Sequence, residues 1–296
     1  SANTPGRTST VETTRVAPEG SRLSFELPRG FVRQPYISGY MHPTGASVMF
    51  VEATAFAPGG ASEMMNGMID GFLEQASQVV ERRRHRHHGM DAVSISASAG
   101  GGIDIQLIAL NSDPAVGVVV AIFPRATAPM MSGVTSSVRL DPNQNLDTER
   151  LFGFTLGDVE GLVPHHLTNA MASWVEPGLQ PPWGPNVATL MVFYHLHESG
   201  DAHTDRALGN LLGQSLAEYA PTVDERNVTE VNIDGLRGFE MLATGIDQGT
   251  PIAIYSLILD SPNGAFIFVG TVETARGSIF APRFRQLVHT FHRTSR

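Results

Sequence analysis

Two histidines on one side of a strand, with a third just past the next turn, are the residues of this chain best spaced to hold a metal. They lie in Tyr194-His195-Leu196-His197-Glu198, with Asp201 and His203 close behind. Alternate side chains of an extended segment share a face, so His195 and His197 project together and His203 is a third ligand within reach. Zinc is the ion this set points to, and a metal-dependent hydrolase using His195 and His197 is the activity that would follow. The competing reading is structural. Met191 and Phe193 share that face, so the pair also reads as the wet end of a half-buried sheet.

A second cluster is Glu81-Arg-Arg-Arg-His-Arg-His-His88. Extended, it puts Arg82, Arg84, Arg86 and His88 on one side and Arg83, His85 and His87 on the other, so neither side suits a core. It must be an edge strand or a projecting hairpin. Charges on an unpaired edge discourage sheet-to-sheet association. The same charges also make a patch for an anion or an acidic partner, with Arg82, Arg83, Arg84 and Arg86 as its cations.

His165-His166 follows Pro164 in an expected loop. Trp174 and Trp183 flank the Pro-rich stretch from Glu176 to Pro185, which reads either as a stiff turn with its Trp folded onto the sheet or as a recognition loop. Nucleophilic catalysis finds little. Gly213-Gln-Ser-Leu-Ala217 lacks the last Gly of a nucleophile elbow and sits inside a helical pattern, and Gly100-Gly-Gly102 reads as a hairpin turn and not a phosphate loop. No catalytic residue is assigned.

Composition narrows the classes further. All twenty cationic side chains are Arg, which excludes Lys Schiff bases and P-loops, and the absence of Cys excludes thiol chemistry and disulfides. A formal net charge of -9 argues against nucleic acid as a partner. No apolar run reaches the length of a membrane span, so a membrane enters only through a lipid anchor outside this sequence. The Ser-, Thr- and Pro-rich residues 1–20 read as a flexible tether ahead of a folded body.

The elements that position these residues follow a repeated plan. Asn66 to Ala76 and Asn210 to Ala220 match at Asn66/Asn210, Glu74/Glu218 and Ala76/Ala220, and the register runs on to Glu81-Arg82/Glu225-Arg226. Met65, Met68, Ile69, Phe72 and Ala76 form one helical stripe, and Leu208, Leu211, Leu212, Ser215, Leu216 and Tyr219 form its echo. Ser62-Glu63 and Thr204-Asp205 are expected at the helix starts. Strands are expected over Leu23 to Leu27, Tyr36 to Met41, Ser47 to Phe56, Met90 to Ala97, Ile103 to Leu110 and Val116 to Phe123, then a short helix over Pro129 to Val138. In the second half Asn169 to Glu176, Ala188 to His197 and a closing helix over Phe280 to Phe291 answer them, with Gly235 matching Gly89 after a two-residue slip. The expected fold is α+β: two tandem modules at 21–140 and 150–296, each an antiparallel sheet covered by helices, joined by a linker at 141–149.

The opening Phe25-x-Leu-Pro-x-Gly-Phe31, one amphipathic helix, a β-meander and a terminal helix resemble the Mog1/PsbP-like fold. The second opening, Phe154-Thr-Leu-Gly-Asp-Val-Glu-Gly, lacks the Pro. That resemblance implies a non-enzymatic binding or scaffolding protein of the bacterial envelope, periplasmic or at the cell surface, with a protein or peptide partner and no cofactor. A cytoplasmic chaperone for a secreted effector is the alternative within binding proteins. The chain is expected to be a monomeric pseudo-dimer or a homo-oligomer, and the default ligand site is the seam between copies or an exposed sheet face.

Overall fold

The computed structural model describes residues 11–55, 57–74, 76–179, 183–196 and 204–294. The chain divides into two compact units, residues 1–34 with 38–145 and residues 35–37 with 146–296. Both are α+β with antiparallel strand pairing among the described residues.

The first unit contains β1 (Thr13–Val16), β2 (Leu23–Pro28), β3 (Val32–Arg33), β4 (Gly39–Met41), β5 (Ser47–Thr54), α1 (Ala61–Leu73), β6 (Gln78–His87), β7 (Met90–Gly100), β8 (Ile103–Ser112), β9 (Ala115–Pro124), α2 (Ala128–Met131) and β10 (Arg139–Leu140). Its main sheet runs β3-β4-β5-β9-β8-β7-β6, with β6 at the free edge. Ala-Val-Gly-Val-Val-Val-Ala in β9 is apolar without alternation because both its faces are covered. On one face Met65 and Ile69 of α1 pack on Val93, Ile95, Leu107 and Val118. On the other lies β2, whose Phe25 ring is 5.9 Å from Phe50. Gly117 lets β2 approach, since a Cβ there would sit 2.9 Å from Leu23 Cδ2. Each large side chain buried in these layers contributes about 1.5–3 kcal/mol.

One ion pair is sealed into this unit. Glu52, fully buried, accepts hydrogen bonds from Ser21 Oγ at 2.7 Å and the Arg22 amide at 2.8 Å, with Arg22 Nε 3.6 Å away. Arg22 in turn donates to the Ala53 carbonyl and the Thr54 hydroxyl. Burial pushes the Glu52 carboxyl up more than Ser21 and Arg22 pull it down.

The second unit contains α3 (Thr148–Phe152), β11 (Phe154–Thr155), β12 (Val163–Thr168), β13 (Met171–Val175), β14 (Thr189–Leu196), α4 (Asp205–Leu216), β15 (Thr222–Ile233), β16 (Leu236–Asp247), β17 (Thr250–Ser261), β18 (Gly264–Glu273), α5 (Gly277–Val288) and β19 (His292–Arg293). Its sheet runs β12-β13-β14-β18-β17-β16-β15. Leu208, Leu212 and Leu216 of α4 cover one face, packing with Ile254, Ile267 and Val269. Phe280, Phe284 and Leu287 of α5 cover the other, against Tyr255, Leu257 and Phe268. Gly270 makes room for that helix, because a Cβ there would lie 2.5 Å from Phe284 Cδ2.

Several expectations shift. The segment expected as a tether over 1–20 includes β1, which pairs with β2 from Thr13↔Pro28 to Val16↔Phe25; its β-branched and Arg residues suit an edge ladder. Helix α1 starts from Gly60 with no side-chain cap, so Ser62 is already inside it, whereas Thr204 does cap α4 by accepting from the Ala207 amide. Tyr36 adopts a left-handed backbone (φ 62°) that interrupts the strand expected over 36–41. Thr148–Phe152, which runs from the end of the expected linker into the expected second module, forms α3 because Asp147 caps it by accepting from the Arg150 amide. His165-His166 belong to β12 and not to a loop, since Pro164 pairs across from Trp174 and the ladder simply shifts between His165 and Thr168.

Candidate functional site

Strand alternation sorts the basic segment. Arg82 and Arg84 point to the α1 side, where Arg82 lies 3.8 Å from Asp70 and Arg84 donates to Asn66 Oδ1 at 3.3 Å. Arg86 is held by Asp91 at 2.7 Å and by the Gly89 carbonyl. Three of the four expected patch cations thus have partners within their own unit. Arg83 has no hydrogen-bond or ion-pair partner among the described residues.

Arg83 faces the opposite side of the sheet with Glu81, His85 and His87, and this side is open. The row Arg83–Ser94–Ile108 and the row Glu81–Ser96–Gln106 cross three strands and floor a cleft of about 400 Å³. Ser132, Thr135 and Ser136, at the turn after α2, form its wall. His85 Nδ1 is buried without a partner, and His87 Nε2 lies 2.8 Å from the Val138 carbonyl. The neighbouring His88 ring, 4.4 Å from His87, is pushed down by desolvation first and then by His87, Arg139 and Arg15. The cleft is thus lined by hydroxyls, the Glu81 carboxylate, imidazoles and one guanidinium that has no partner among the described residues.

The cleft exists because the cover after β9 is short. Helix α2 has four residues, whereas α5, after β18, has twelve. At the matching place past the hairpin glycine, Ser94 of the first unit corresponds to Glu240 of the second. Glu240 is buried under α5, with Arg285 Nε at 3.0 Å and His289 Nε2 at 3.4 Å. Tyr255 beside it is pushed up, by burial first and then by the Glu240 charge. The second unit's face is therefore filled by its own helix, leaving a depression of about 240 Å³.

The remaining expected residues are dispersed. His195 is exposed near the end of β14, opposite Ala265. His197 and His203 lie outside the described residues. Among the described residues no group of three or more His, Asp or Glu is placed to hold a metal. His165 stacks edge-on against Trp183 at 4.8 Å, and burial pushes its imidazole down. Trp174 is buried in the second unit's core, so it is structural.

What the sequence reading did not single out is the serine wall and floor, Ser94, Ser96, Ser132 and Ser136. The signal was available in the polar members of β7, whose alternation with Val93, Ile95 and Ala97 left one face unfit for a core. An apolar groove of about 480 Å³ beside α4, lined by Leu212, Val228, Phe239, Met241 and Ile258, was also not foreseen.

The fold places the protein among α+β sheet-and-helix proteins. No family model and no curated protein matches the chain. Among solved structures it is similar to the PsbP (CyanoP) of Synechocystis sp. PCC 6803, 9% identical, over 47% of this chain and 98% of that one, with a TM-score of 0.34. It is similar to LpqN, described as involved in cell envelope biogenesis of Mycobacterium tuberculosis, 10% identical over 48% of this chain and 83% of that one, with a TM-score of 0.38. It is also similar to TplEi, a type VI secretion immunity protein of Pseudomonas aeruginosa, 9% identical over 90% of this chain and 98% of that one, with a TM-score of 0.34.

Proposed function

We propose that this protein is a non-enzymatic binding or scaffolding protein of the bacterial cell envelope, built from two tandem copies of one module, and that it engages a protein or peptide through the open face of its first unit. The observation that carries this reading is the cleft over β6 and β7, where Arg83 and His85 Nδ1 have no partner among the described residues. Groups left with unspent hydrogen bonds at an open cleft suit recognition, and no nucleophile with an oriented base accompanies them.

Duplication is supported by the strand orders, in which β3 to β9 and β12 to β18 occupy matching places. The two-residue slip between the halves has a local cause. Strand β6 takes up one extra residue between Val79 and Glu81, and β15 takes up three between Val223 and Val228. The envelope location rests on the Mog1/PsbP-like resemblance of the sequence.

The test is site-specific photo-crosslinking in the native host. A crosslinker at Ser96 is expected to give a discrete adduct that Arg83→Glu abolishes, while one at exposed Ile279 on α5 gives none. No adduct from Ser96, or the same adduct from both positions, refutes the reading.

The groove beside α4 favours a second reading, a chaperone that receives an apolar client helix. In that case Met241→Asp, and not Arg83→Glu, is expected to remove client binding.

A further inference from the structure

Strand β6 has ten residues, and its only ladder among the described residues is with β7, which leaves its outer edge free. Its outward N–H and C=O groups make no backbone hydrogen bond among the described residues. It carries four Arg and two His against one Glu, in a chain whose net charge is -9. The charge that keeps like edges apart is complementary to an acidic one.

We propose that β6 accepts an extended acidic peptide as an added strand, with Asp or Glu at alternate positions turned onto the open face. Backbone groups of the peptide pair with the free edge of β6. Every second side chain then falls on the Arg83 side, where the guanidinium receives a carboxylate. The peptide's intervening side chains lie on the α1 side, where Arg82 and Arg84 already have partners and only small neutral groups are needed. Alternation of acidic with small neutral residues is therefore the recognised pattern, not negative charge alone. Strand β15 holds the matching edge position in the second unit but is acidic in sequence, so it does not take the same ligand.

This rests on the open face of the first unit being the binding surface, and the experiment separates the two. A fluorescent peptide of alternating Asp and Thr, matched to the length of β6, is titrated into the whole protein at low salt and followed by anisotropy. A peptide of the same composition with its Asp in one block, and an alternating peptide N-methylated along one edge, are compared. The alternating peptide is expected to bind at least about tenfold more tightly than either. Arg83→Glu is expected to weaken it by a further tenfold or so, Arg84→Glu by much less, with unchanged thermal melts as the folding control. Inorganic phosphate and free aspartate are expected not to compete. Equal binding of the three peptides shows a diffuse cationic patch and overturns strand addition, as does displacement by inorganic phosphate. No peptide binding with an intact Ser96 crosslink overturns this proposal alone; loss of both removes the binding surface as well.

Discussion

Replacing Arg22 by Met keeps most of the stem volume and removes the cation beside a fully buried carboxylate. Breaking a buried pair from one side costs about 3–5 kcal/mol. Glu52 keeps the Ser21 hydroxyl at 2.7 Å and the backbone amide of residue 22 at 2.8 Å, so the low end, about 3 kcal/mol, applies. At roughly 2–4 °C per kcal/mol for a unit of this size, the first unit's melting point falls by about 6–12 °C. The loss has a pH signature. Burial already holds the Glu52 carboxyl above its ordinary range, and removing Arg22 raises it further. The folded variant then binds a proton that the unfolded chain has released. Its stability is best below the ordinary glutamate value, near about 4.3, and falls by up to about 1.4 kcal/mol per pH unit as pH rises toward the folded value. Urea melts of the wild type and Arg22→Met at pH 5 and pH 8 measure this directly. A deficit under about 1 kcal/mol that is the same at both pH values would refute the account of Arg22 as the compensating charge.

Three further outcomes are expected. Arg83, Arg84 and Arg86 together replaced by Ser should leave the fold intact, with a change of no more than about 1–2 kcal/mol in chemical melts, because the pairs lost are exposed; unfolding would contradict the open-edge placement. Gly238→Ala should destabilise the second unit by about 2–3 kcal/mol, since its Cβ would stand 2.0 Å from the Ile258 carbonyl oxygen, while Gly67→Ala on the exposed side of α1 should stabilise the first by about 0.5–1 kcal/mol; paired thermal melts read both. The hydrogen bond from Arg276 Nη1, 2.9 Å away, holds the Glu176 carboxyl below the usual range. Its stabilising contribution, about 1 kcal/mol after solvent screening, is present above the ordinary glutamate value and lost as pH falls through the depressed one. Glu176→Gln should therefore flatten the acid limb of the stability profile.

Much of this was legible in the chain. Period-3.6 stripes located α1 and α4, and the apolar runs ending in Gly, Asn and Pro turns located β7 to β9 and their counterparts, because covered faces leave a repeating mark. The charges of 81–88 called for an edge strand or a projecting hairpin, and β6 is an edge strand. The partners of each charge were not legible. Arg82 is paired with Asp70 and Arg84 is hydrogen-bonded to Asn66, both on a helix earlier in the chain, and only the folded register reveals that Arg83 is the cation of this segment without a partner among the described residues.

The sequence by itself determined the alternation and the helical stripes, because those depend on residues near one another along the chain. Only the tertiary structure decided that one sheet face is closed by α5 and the matching one is left open. The length of the cover after the last strand, and the side chains it brings down onto Glu240 or withholds from Ser94, are set by contacts between residues far apart in sequence, and local patterns carry no record of them.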